Sequence, residues 1–341
     1  MIKKSKNSLR IKWPKISMIF VAYNDAKGIR RCLESVRRQS YPQDLIDIVF
    51  VDDGSTDDSV EVARSFGARI FVNPKNYIYK NWILGMHNIK GEFIFSLETD
   101  IVLAGEDFIK KMVAPMLEDK RIIASFTDEK ASADMHWSAR FLTYNHAMCD
   151  PLLEFLLDKL ENKIIERKKD YSLCKFDEKL QQTVRMFYRV EYLKNTLNWK
   201  AENYFDHDFL INCIRSGYPY FAYVSNPGYV HYTVKSLRQL IYKRVRNVKM
   251  HFLPYYKKTE YVFLNTGKKN EVLKLILFVI YANLLFPAAI RGLFRFLKHK
   301  DWVLLLEPII AVGVIDALII TFLKDKKGRM YISDSLKSLF S

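Results

Sequence analysis

The chain has 341 residues, which is more than one ordinary domain needs and enough for a sizeable hydrophobic core. Its 54 basic and 38 acidic residues give a net charge of +16, which suits nucleic acid, an anionic membrane surface or a phosphorylated substrate as partner. The four cysteines stand far apart without the spacing of a metal site, and we expect reduced thiols in a cytoplasmic compartment. They are Cys32, Cys149, Cys174 and Cys213.

The N-terminal segment is basic. Residues 1–15 contain six lysines and arginines and lack the apolar core of a signal peptide. We expect either a solvated tail or a contact with a membrane surface.

Apolar runs alternate with helical patterns over residues 16–100. For the second helix we expect a capping box of Ser55 and Asp58, with Gly67 just past the helix end. A βαβαβαβ order with short connections predicts a parallel sheet that has helices on both faces. The predicted strands cover residues 16–22, 46–51, 69–72 and 93–97.

Two carboxylates, Glu98 and Asp100, follow the last of these strands. Residues two apart in a strand share one face, so this pair can hold Mg²⁺ or Mn²⁺ beside a phosphate. A solvated acidic turn is the alternative that the pair alone leaves open. The region has neither GxGxxG nor GxxxxGK[ST], which disfavours a dinucleotide site and a P-loop ATPase. Other polar residues at strand ends, which would face the same crevice, are Tyr23, Asn24, Asp52 and Asp53.

Two stretches of the chain resemble the family 2 glycosyltransferases with the GT-A fold. They are residues 20–63 (FVAYNDAKGIRRCLESVRRQSYPQDLIDIVFVDDGSTDDSVEVA) and residues 89–100 (IKGEFIFSLETD). The resemblance is continuous over residues 16–100 and patchier to about residue 250. It implies an α/β fold with a mixed, Rossmann-like sheet, and an enzyme that transfers a sugar from a nucleotide-sugar with inversion at the anomeric carbon.

The resemblance also implies where the donor binds. The nucleotide-sugar would lie over the carboxyl edge of the sheet. Tyr23 and Asn24 would flank the base, and Asp52 and Asp53 would contact the base and the ribose.

The diphosphate and its metal ion are expected nearby. Where the family often has an Arg-Asn pair, this chain has Lys80 and Asn81, which would meet the diphosphate. Asp100 would be the direct ligand of Mg²⁺ or Mn²⁺. Glu98 replaces the usual first aspartate, and we expect it to contact the metal or the ribose.

A second acidic segment, residues 205–210 (FDHDFL), resembles the Glu-Asp-x-Asp-Leu segment of the family. It implies that Asp206 is the catalytic base, with Phe205 in place of the glutamate. The chemistry needs one carboxylate within about 3 Å of the proton that it takes from the acceptor. Simple capping of the helix by Asp206 or Asp208 is the alternative.

Histidines and a basic segment complete the candidate site. Some relatives place a metal-binding histidine near His231, although a structural role is an equal alternative. His136 and His146 could touch substrate, but lone histidines are more often structural. Residues 236–249 are strongly basic; in relatives such a segment lies beside the diphosphate or the membrane, and a solvated helix is the alternative.

The C-terminal part contains two long apolar runs, which predict a transmembrane helical hairpin over residues 272–290 and 302–323. More cations flank the pair than lie in the connecting residues 291–301, which favours both ends on the cytoplasmic side. The alternative is that the connection lies in the headgroup layer. Glu307 and Asp316 stand within the second run. We expect them either to face a partner helix or a polar cavity with a functional role, or to pair with nearby cations.

The sequence therefore predicts a membrane-anchored, metal-dependent glycosyltransferase with its catalytic domain in the cytoplasm. The acceptor would be a polyprenyl phosphate or a lipid-linked glycan, with an exopolysaccharide as the alternative. A catalytically inactive membrane-surface protein on the same scaffold is the rival class, and no nucleic-acid recognition motif is present. The predicted domains are a basic segment (1–15), the GT-A domain (16–250), a juxtamembrane linker (251–271), the two transmembrane helices (272–323) and a cytoplasmic tail (324–341).

Overall fold

The first half of the α/β domain alternates strands and helices as predicted. The computed structural model describes residues 12–74, 78–145, 150–178, 185–202, 206–254 and 268–340. The first elements are β1 (Ile16–Ala22), α1 (Ala26–Arg37), β2 (Ile46–Asp52), α2 (Ser59–Ser65), β3 (Arg69–Val72), α3 (Ile78–His87) and β4 (Phe93–Leu97).

The central strand β1 explains the apolar runs. It pairs in parallel with both β2 and β4, so Phe20 lies beside Phe50 on one side and Leu97 on the other. Both faces of the strand are covered. Phe20 packs in the core under α1, whereas the next residue toward the N-terminus, Ile19, packs in a second core with Trp82 of α3. A strand that is buried on both faces is nearly continuously apolar, which is why the apolar run predicted this strand.

The second half of the domain extends and mixes the sheet. Its elements are β5 (Ile101–Leu103), α4 (Phe108–Glu118), β6 (Ala124–Phe126), α5 (Trp137–Thr143), α6 (Pro151–Leu156), β7 (Ile164–Arg167), β8 (Ser172–Lys175), β9 (Met186–Arg189), α7 (Val190–Leu193), α8 (Asp206–Arg215), β10 (Tyr220–Tyr223), β11 (Tyr229–His231) and α9 (Leu237–Asn247). The main sheet has the order β3-β2-β1-β4-β9-β6-β10-β8-β7, and β5 pairs with β11 in a separate ribbon. Because β9 runs antiparallel to β4 and β6, the sheet is mixed, and only its first four strands form the predicted parallel set.

One local prediction was wrong. The capping box at Ser55 is absent: α2 begins after Asp58, and the Ser55 amide instead donates to the carboxylate of Asp52. Gly67 does follow the helix end, with a φ of +80° that favours glycine.

Four helices form the C-terminal part: α10 (Lys269–Asn283), α11 (Phe286–His299), α12 (Glu307–Lys324) and α13 (Lys326–Phe340). The first predicted span is not one straight helix, because α10 and α11 meet at an angle of 82°. Leu285 at the break has a φ of +61°, and Pro287 stands in the first turn of α11, where it cannot donate a helical hydrogen bond. Within the described residues, the stretch 302–324 is the one continuous helix long and apolar enough to cross a membrane.

A buried ion cluster ties these helices together. Glu307 has no exposed surface; its carboxylate pairs with Arg291 and with Arg295, the latter at 2.9 Å, and accepts a hydrogen bond from Tyr281 at 2.8 Å. This outcome matches the simpler expectation for Glu307, pairing with a nearby cation. Arg295 also donates to the Asn145 side chain just after α5, so the cluster fixes α11 against the α/β domain.

Candidate active site

A long-range strand pairing assembles the candidate metal site. Glu98 and Asp100 follow β4, as the sequence predicted, and they lie in the turn that leads into β5. β11 pairs antiparallel with β5, which places His231 opposite Ile101 and beside Asp100. The Tyr232 amide donates to the backbone carbonyl of Asp100 at 2.8 Å and continues this contact. The pairing thus brings a histidine from far along the chain to the two carboxylates.

The three side chains form a compact cluster. One ligand atom from each of Glu98, Asp100 and His231 lies within 4.8 Å of the other two. Nε2 of His231 is 3.3 Å from Asp100 Oδ1 and 3.6 Å from Glu98 Oε2. Asp100 Oδ1 is buried and accepts no well-oriented hydrogen bond from a described group. Two carboxylates and an imidazole that converge on one point fit a divalent cation such as Mn²⁺.

The electrostatics of the cluster show how it is balanced without an ion. Burial disfavours a charged Asp100, but the charge and hydrogen bond of His231, together with the charges of Lys243 and Arg185, outweigh burial and hold the pKa of Asp100 well below its usual value. Burial also disfavours a charged His231, yet the carboxylates of Asp100 and Glu129 raise its pKa to about 10. The protonated imidazole therefore supplies, in the metal-free protein, positive charge that a cation would otherwise bring.

Glu129 is a part of the site that the sequence analysis missed. Its Oε1 lies 3.2 Å from Nδ1 of His231 and accepts a hydrogen bond from the Tyr229 hydroxyl at 3.0 Å. The carboxylate stands in the polar stretch after β6, and only the density of acids in residues 128–134 could have pointed to it. A carboxylate on the far side of a metal-binding imidazole fixes which nitrogen faces the metal.

Two cations complete the surroundings of the carboxylates. Arg185 forms an ion pair with Glu98. Lys243 of α9 is held by the Thr233 carbonyl; burial lowers its pKa, while the charges of Asp100 and Glu98 oppose that shift. Most of the basic segment of residues 236–249 therefore forms a helix, and at least one of its cations interacts electrostatically with the acids of the candidate site.

The two acids after β2 have different surroundings. Asp52 is buried, and its carboxylate accepts hydrogen bonds from the Gly54 and Ser55 amides at 3.0–3.2 Å. Asp53 accepts from the side chain of Asn81 at 3.2 Å. The amide oxygen of the buried Asn81 accepts in turn from Asn73 at 2.7 Å. Asp52 thus stabilises the turn that follows β2, and Asn81 orients the side chain of Asp53.

The remaining predicted donor contacts lie at the surface. Tyr23 is 57% exposed, as a side chain that stacks on a ligand should be, and Lys80 is exposed. Asn24 adopts a φ of +48°, and its side chain accepts a hydrogen bond from the Thr56 amide at 2.7 Å. The bond joins the ends of β1 and β2. Thr99, in the turn after β4, donates to Asp25 at 2.5 Å and joins this edge to the metal cluster.

Other candidate residues have separate outcomes. Asp206 begins α8, but its side chain and all of Phe205 lie outside the described residues. The predicted helix end is present, since Gly217 after α8 has a φ of +89°. His136 accepts a hydrogen bond from the Ser138 amide and caps α5, which is the structural alternative. His146 also lies outside the described residues.

Comparison with known proteins gives the family. The model of glycosyl transferase family 2 matches residues 17–197, more than half of the chain. The glycosyltransferase AglE of Haloferax volcanii is 42% identical over 53 residues, which are 16% of this chain and 17% of that protein. The chondroitin synthase of Pasteurella multocida is 25% identical over 267 residues, which are 76% of this chain and 24% of the synthase. The chain spans about a quarter or less of the length of these two relatives.

A solved structure gives the fold. The mannosyltransferase PcManGT from Pyrobaculum calidifontis, in complex with GDP-Man and Mn²⁺, aligns with a TM-score of 0.53 at 13% identity. The alignment covers 92% of this chain and 88% of that one. The predicted GT-A fold is thereby confirmed. The family match over residues 17–197 shows that the chain belongs to glycosyl transferase family 2.

Proposed function

We propose that this chain is a metal-dependent glycosyltransferase that uses a nucleotide-sugar donor and inverts the configuration of the transferred sugar. The observation that carries the proposal is the cluster of Glu98, Asp100 and His231. It lies at the carboxyl edge of the parallel strands, where open α/β sheets bind their ligands. The GDP-Man and Mn²⁺ of PcManGT support the choice of a nucleotide-sugar and a divalent ion.

The residues that would hold Mg²⁺ or Mn²⁺ are Asp100, Glu98 and His231. The ion would supply positive charge that stabilises the leaving diphosphate. Arg185, which pairs with Glu98, and Lys243, whose charge interacts with Asp100 and Glu98, add positive charge to the site. These side chains favour the state in which negative charge has moved onto the diphosphate, because they are in place before the reaction begins.

The nucleoside would bind at the ends of β1 and β2. Tyr23 is exposed and can stack on a base, and Asn24 holds its neighbouring turn. Asp53, oriented by Asn81, would contact the ribose or the base. Asp52 acts through the turn that it stabilises, because its oxygens already accept backbone hydrogen bonds. Lys80 adds a cation for the diphosphate.

Asp206 is our candidate for the base. It stands at the N-terminus of α8, where the helix dipole stabilises a carboxylate. It would take the proton of an acceptor hydroxyl during in-line attack on the anomeric carbon. A polyprenyl phosphate acceptor is already anionic, so with that substrate Asp206 would orient the nucleophile instead.

For the acceptor we propose a polyprenyl phosphate or a lipid-linked glycan at a membrane, with the catalytic domain on the cytoplasmic side. The apolar C-terminal helices and the net charge of +16 support a membrane acceptor. Growth of an exopolysaccharide is the second candidate. It is supported by the similarity to chondroitin synthase, which extends over 76% of the chain.

The direct test is a panel of labelled nucleotide-sugars offered with membrane lipid extract and Mn²⁺. We expect label to enter the organic phase with one donor. Label that appears only in a water-soluble polymer would select the exopolysaccharide alternative. If no donor is bound, hydrolysed or transferred above background, the inactive membrane-surface protein is the correct class.

A further inference from the structure

The outer face of α11 carries an apolar stripe that the other described parts of the chain leave largely exposed. Five of its large side chains recur at helical spacing and each is about half exposed or more: Phe286 (61%), Ile290 (51%), Leu293 (49%), Phe294 (68%) and Leu297 (49%). A stripe of this regularity marks a face that contacts an apolar partner, since water is a poor solvent for it.

The opposite face of α11 is fixed, so the stripe cannot turn inward. Arg291 and Arg295 pair with the buried Glu307, and Arg295 also contacts Asn145 of the catalytic domain. Gly292 of α11 packs closely against the turn at residues 302–306. A Cβ added at Gly292 would lie 2.5 Å from the Leu304 carbonyl oxygen. The helix is therefore held rigidly, with its apolar side outward.

Charge identifies the partner as an anionic lipid surface. The sequence has no acidic residue between Glu271 and Asp301, and α11 ends in the exposed Lys298, His299 and Lys300. Cations beside an apolar stripe suit the headgroups of an anionic leaflet. A second copy of the chain would instead bring the same acid-free, cationic surface against itself.

The geometry of α10 and α11 argues against a crossing. Helices of 15 and 14 residues are about 22 Å and 21 Å long, shorter than a hydrocarbon core of about 30 Å. With an angle of 82° between them, at most one can follow the membrane normal. The amphipathic α11 is the one suited to the membrane plane.

The apolar helix α12 is packed on the catalytic domain. A Cβ at Gly313, in the middle of α12, would lie 3.2 Å from Ile241 of α9. If α12 crossed the bilayer, α9 would lie at the same depth in the hydrocarbon. The lysine and arginine side chains of α9 would then be buried there too. Asp316, on the exposed side of α12, would also face hydrocarbon, which is costly.

We propose that α11 lies in the plane of one anionic leaflet, with its apolar stripe inserted, and that residues 268–340 do not cross the bilayer. The inference takes membrane attachment from the proposed function and adds its geometry; the transfer reaction does not depend on it. Because the ion cluster joins α11 to the catalytic domain, the active site would stay at a fixed height above the lipid.

The first test measures binding of the full chain to phosphatidylethanolamine vesicles with and without phosphatidylglycerol. Replacing two stripe residues, Leu293→Gln with Phe294→Gln, should weaken binding at least about tenfold, because two apolar side chains leave the lipid. A matched control replaces two exposed apolar residues elsewhere, Ile165→Gln with Leu197→Gln, and should bind like the wild type. Circular dichroism and nucleotide-sugar binding report on folding.

A second test reads sidedness in a Cys149→Ser background with a membrane-impermeant maleimide. Lys300→Cys, Lys337→Cys and Leu197→Cys should all be labelled in the same vesicle orientation. Protection of Lys300→Cys or Lys337→Cys, with Leu197→Cys labelled, would show a crossing and overturn the inference. Equal vesicle binding of the stripe variant, with loss of a wild-type dimer, would assign the stripe to a second copy. Absence of vesicle binding by the wild type would refute the lipid contact, while transfer to a soluble acceptor would still test the proposed reaction separately.

Discussion

Nδ1 of His231 lies 3.2 Å from Oε1 of Glu129. The other ring nitrogen faces Asp100, at 3.3 Å. A carboxylate on one side of an imidazole keeps the proton on the nearer nitrogen and leaves the farther nitrogen available as a metal ligand. Glu129 is therefore expected to position His231 for the ion without contacting the ion itself.

Replacement of Glu129 tests this relationship. Glu129→Ala should weaken Mn²⁺ binding by about 10–100-fold, the usual loss for a group that orients a metal ligand. Glu129→Gln keeps an acceptor oxygen and should recover part of the loss. Calorimetric titration of the metal-free protein with Mn²⁺ gives the affinities, with the exposed Glu161→Gln as the control. Wild-type affinity in the alanine variant would show that Glu129 has no such role.

Metal affinity should also rise with pH. Since the pKa of His231 is raised to about 10, a proton must leave the ring before Nε2 can bind an ion. Between pH 6 and 9 the affinity should increase up to about tenfold per pH unit, with release of about one proton per ion. Titrations in buffers of different ionisation enthalpy measure that proton. A pH-independent affinity would show that His231 is not a ligand.

The raised pKa of His231 also predicts how the stability of the metal-free protein changes with pH. The folded-state pKa of His231 lies above the unfolded value of about 6.5. The stabilisation is therefore complete below pH 6.5 and is lost as the pH rises through about 10. Urea unfolding of the metal-free chain should show a falling free energy of unfolding over this interval. His231→Gln should remove that part of the slope.

Asp206→Asn should separate chemistry from donor binding. The amide keeps the size of the side chain but cannot accept the proton, so turnover with a neutral hydroxyl acceptor should fall by about 10²–10⁴. Donor affinity, measured by nucleotide-sugar titration, should stay near the wild-type value. A smaller loss of turnover is expected with a phosphate acceptor. If affinity collapses and turnover at saturation is intact, Asp206 binds donor and Asp208 becomes the next candidate for the base.

Glu307→Gln should destabilise the C-terminal helices. Glu307 is fully buried between Arg291 and Arg295, and loss of one partner from a buried ion cluster leaves uncompensated charge. The expected cost is about 3 kcal/mol in the free energy of unfolding. Glu118→Gln, which removes an exposed ion pair with Lys168, is the matched control and should cost less than about 1 kcal/mol. Equal effects in urea unfolding would contradict the structural role of Glu307.

The sequence predicted those parts of the site that depend on local pattern. The strands before Asp52 and Glu98 are buried on both faces, and their continuous apolar runs located both strand ends correctly. The approach of Asp100 and His231 depends on the pairing of β5 with β11, which no local pattern specifies; only the family resemblance made His231 a metal candidate. Glu129 was missed for the same reason, since it joins the site only through contacts with β11.

Hydropathy likewise located the apolar C-terminal residues but not their geometry. It measures composition over a window, so it treated residues 272–290 as one span. Pro287 in the sequence indicated a helix break, whereas a leucine side chain does not predict the positive φ of Leu285. The pairing of Glu307 with Arg291 was among the alternatives because the two residues are close in sequence.

The central claim is that the acid cluster holds a divalent ion needed for sugar transfer. The most direct measurement compares wild type and Asp100→Asn for Mn²⁺-dependent transfer of label from the accepted nucleotide-sugar, with Asp44→Asn as an exposed control. We predict that Asp100→Asn abolishes transfer, that excess EDTA does the same to the wild type, and that Asp44→Asn is unaffected. Full transfer by Asp100→Asn, or by the wild type in excess EDTA, would contradict the account.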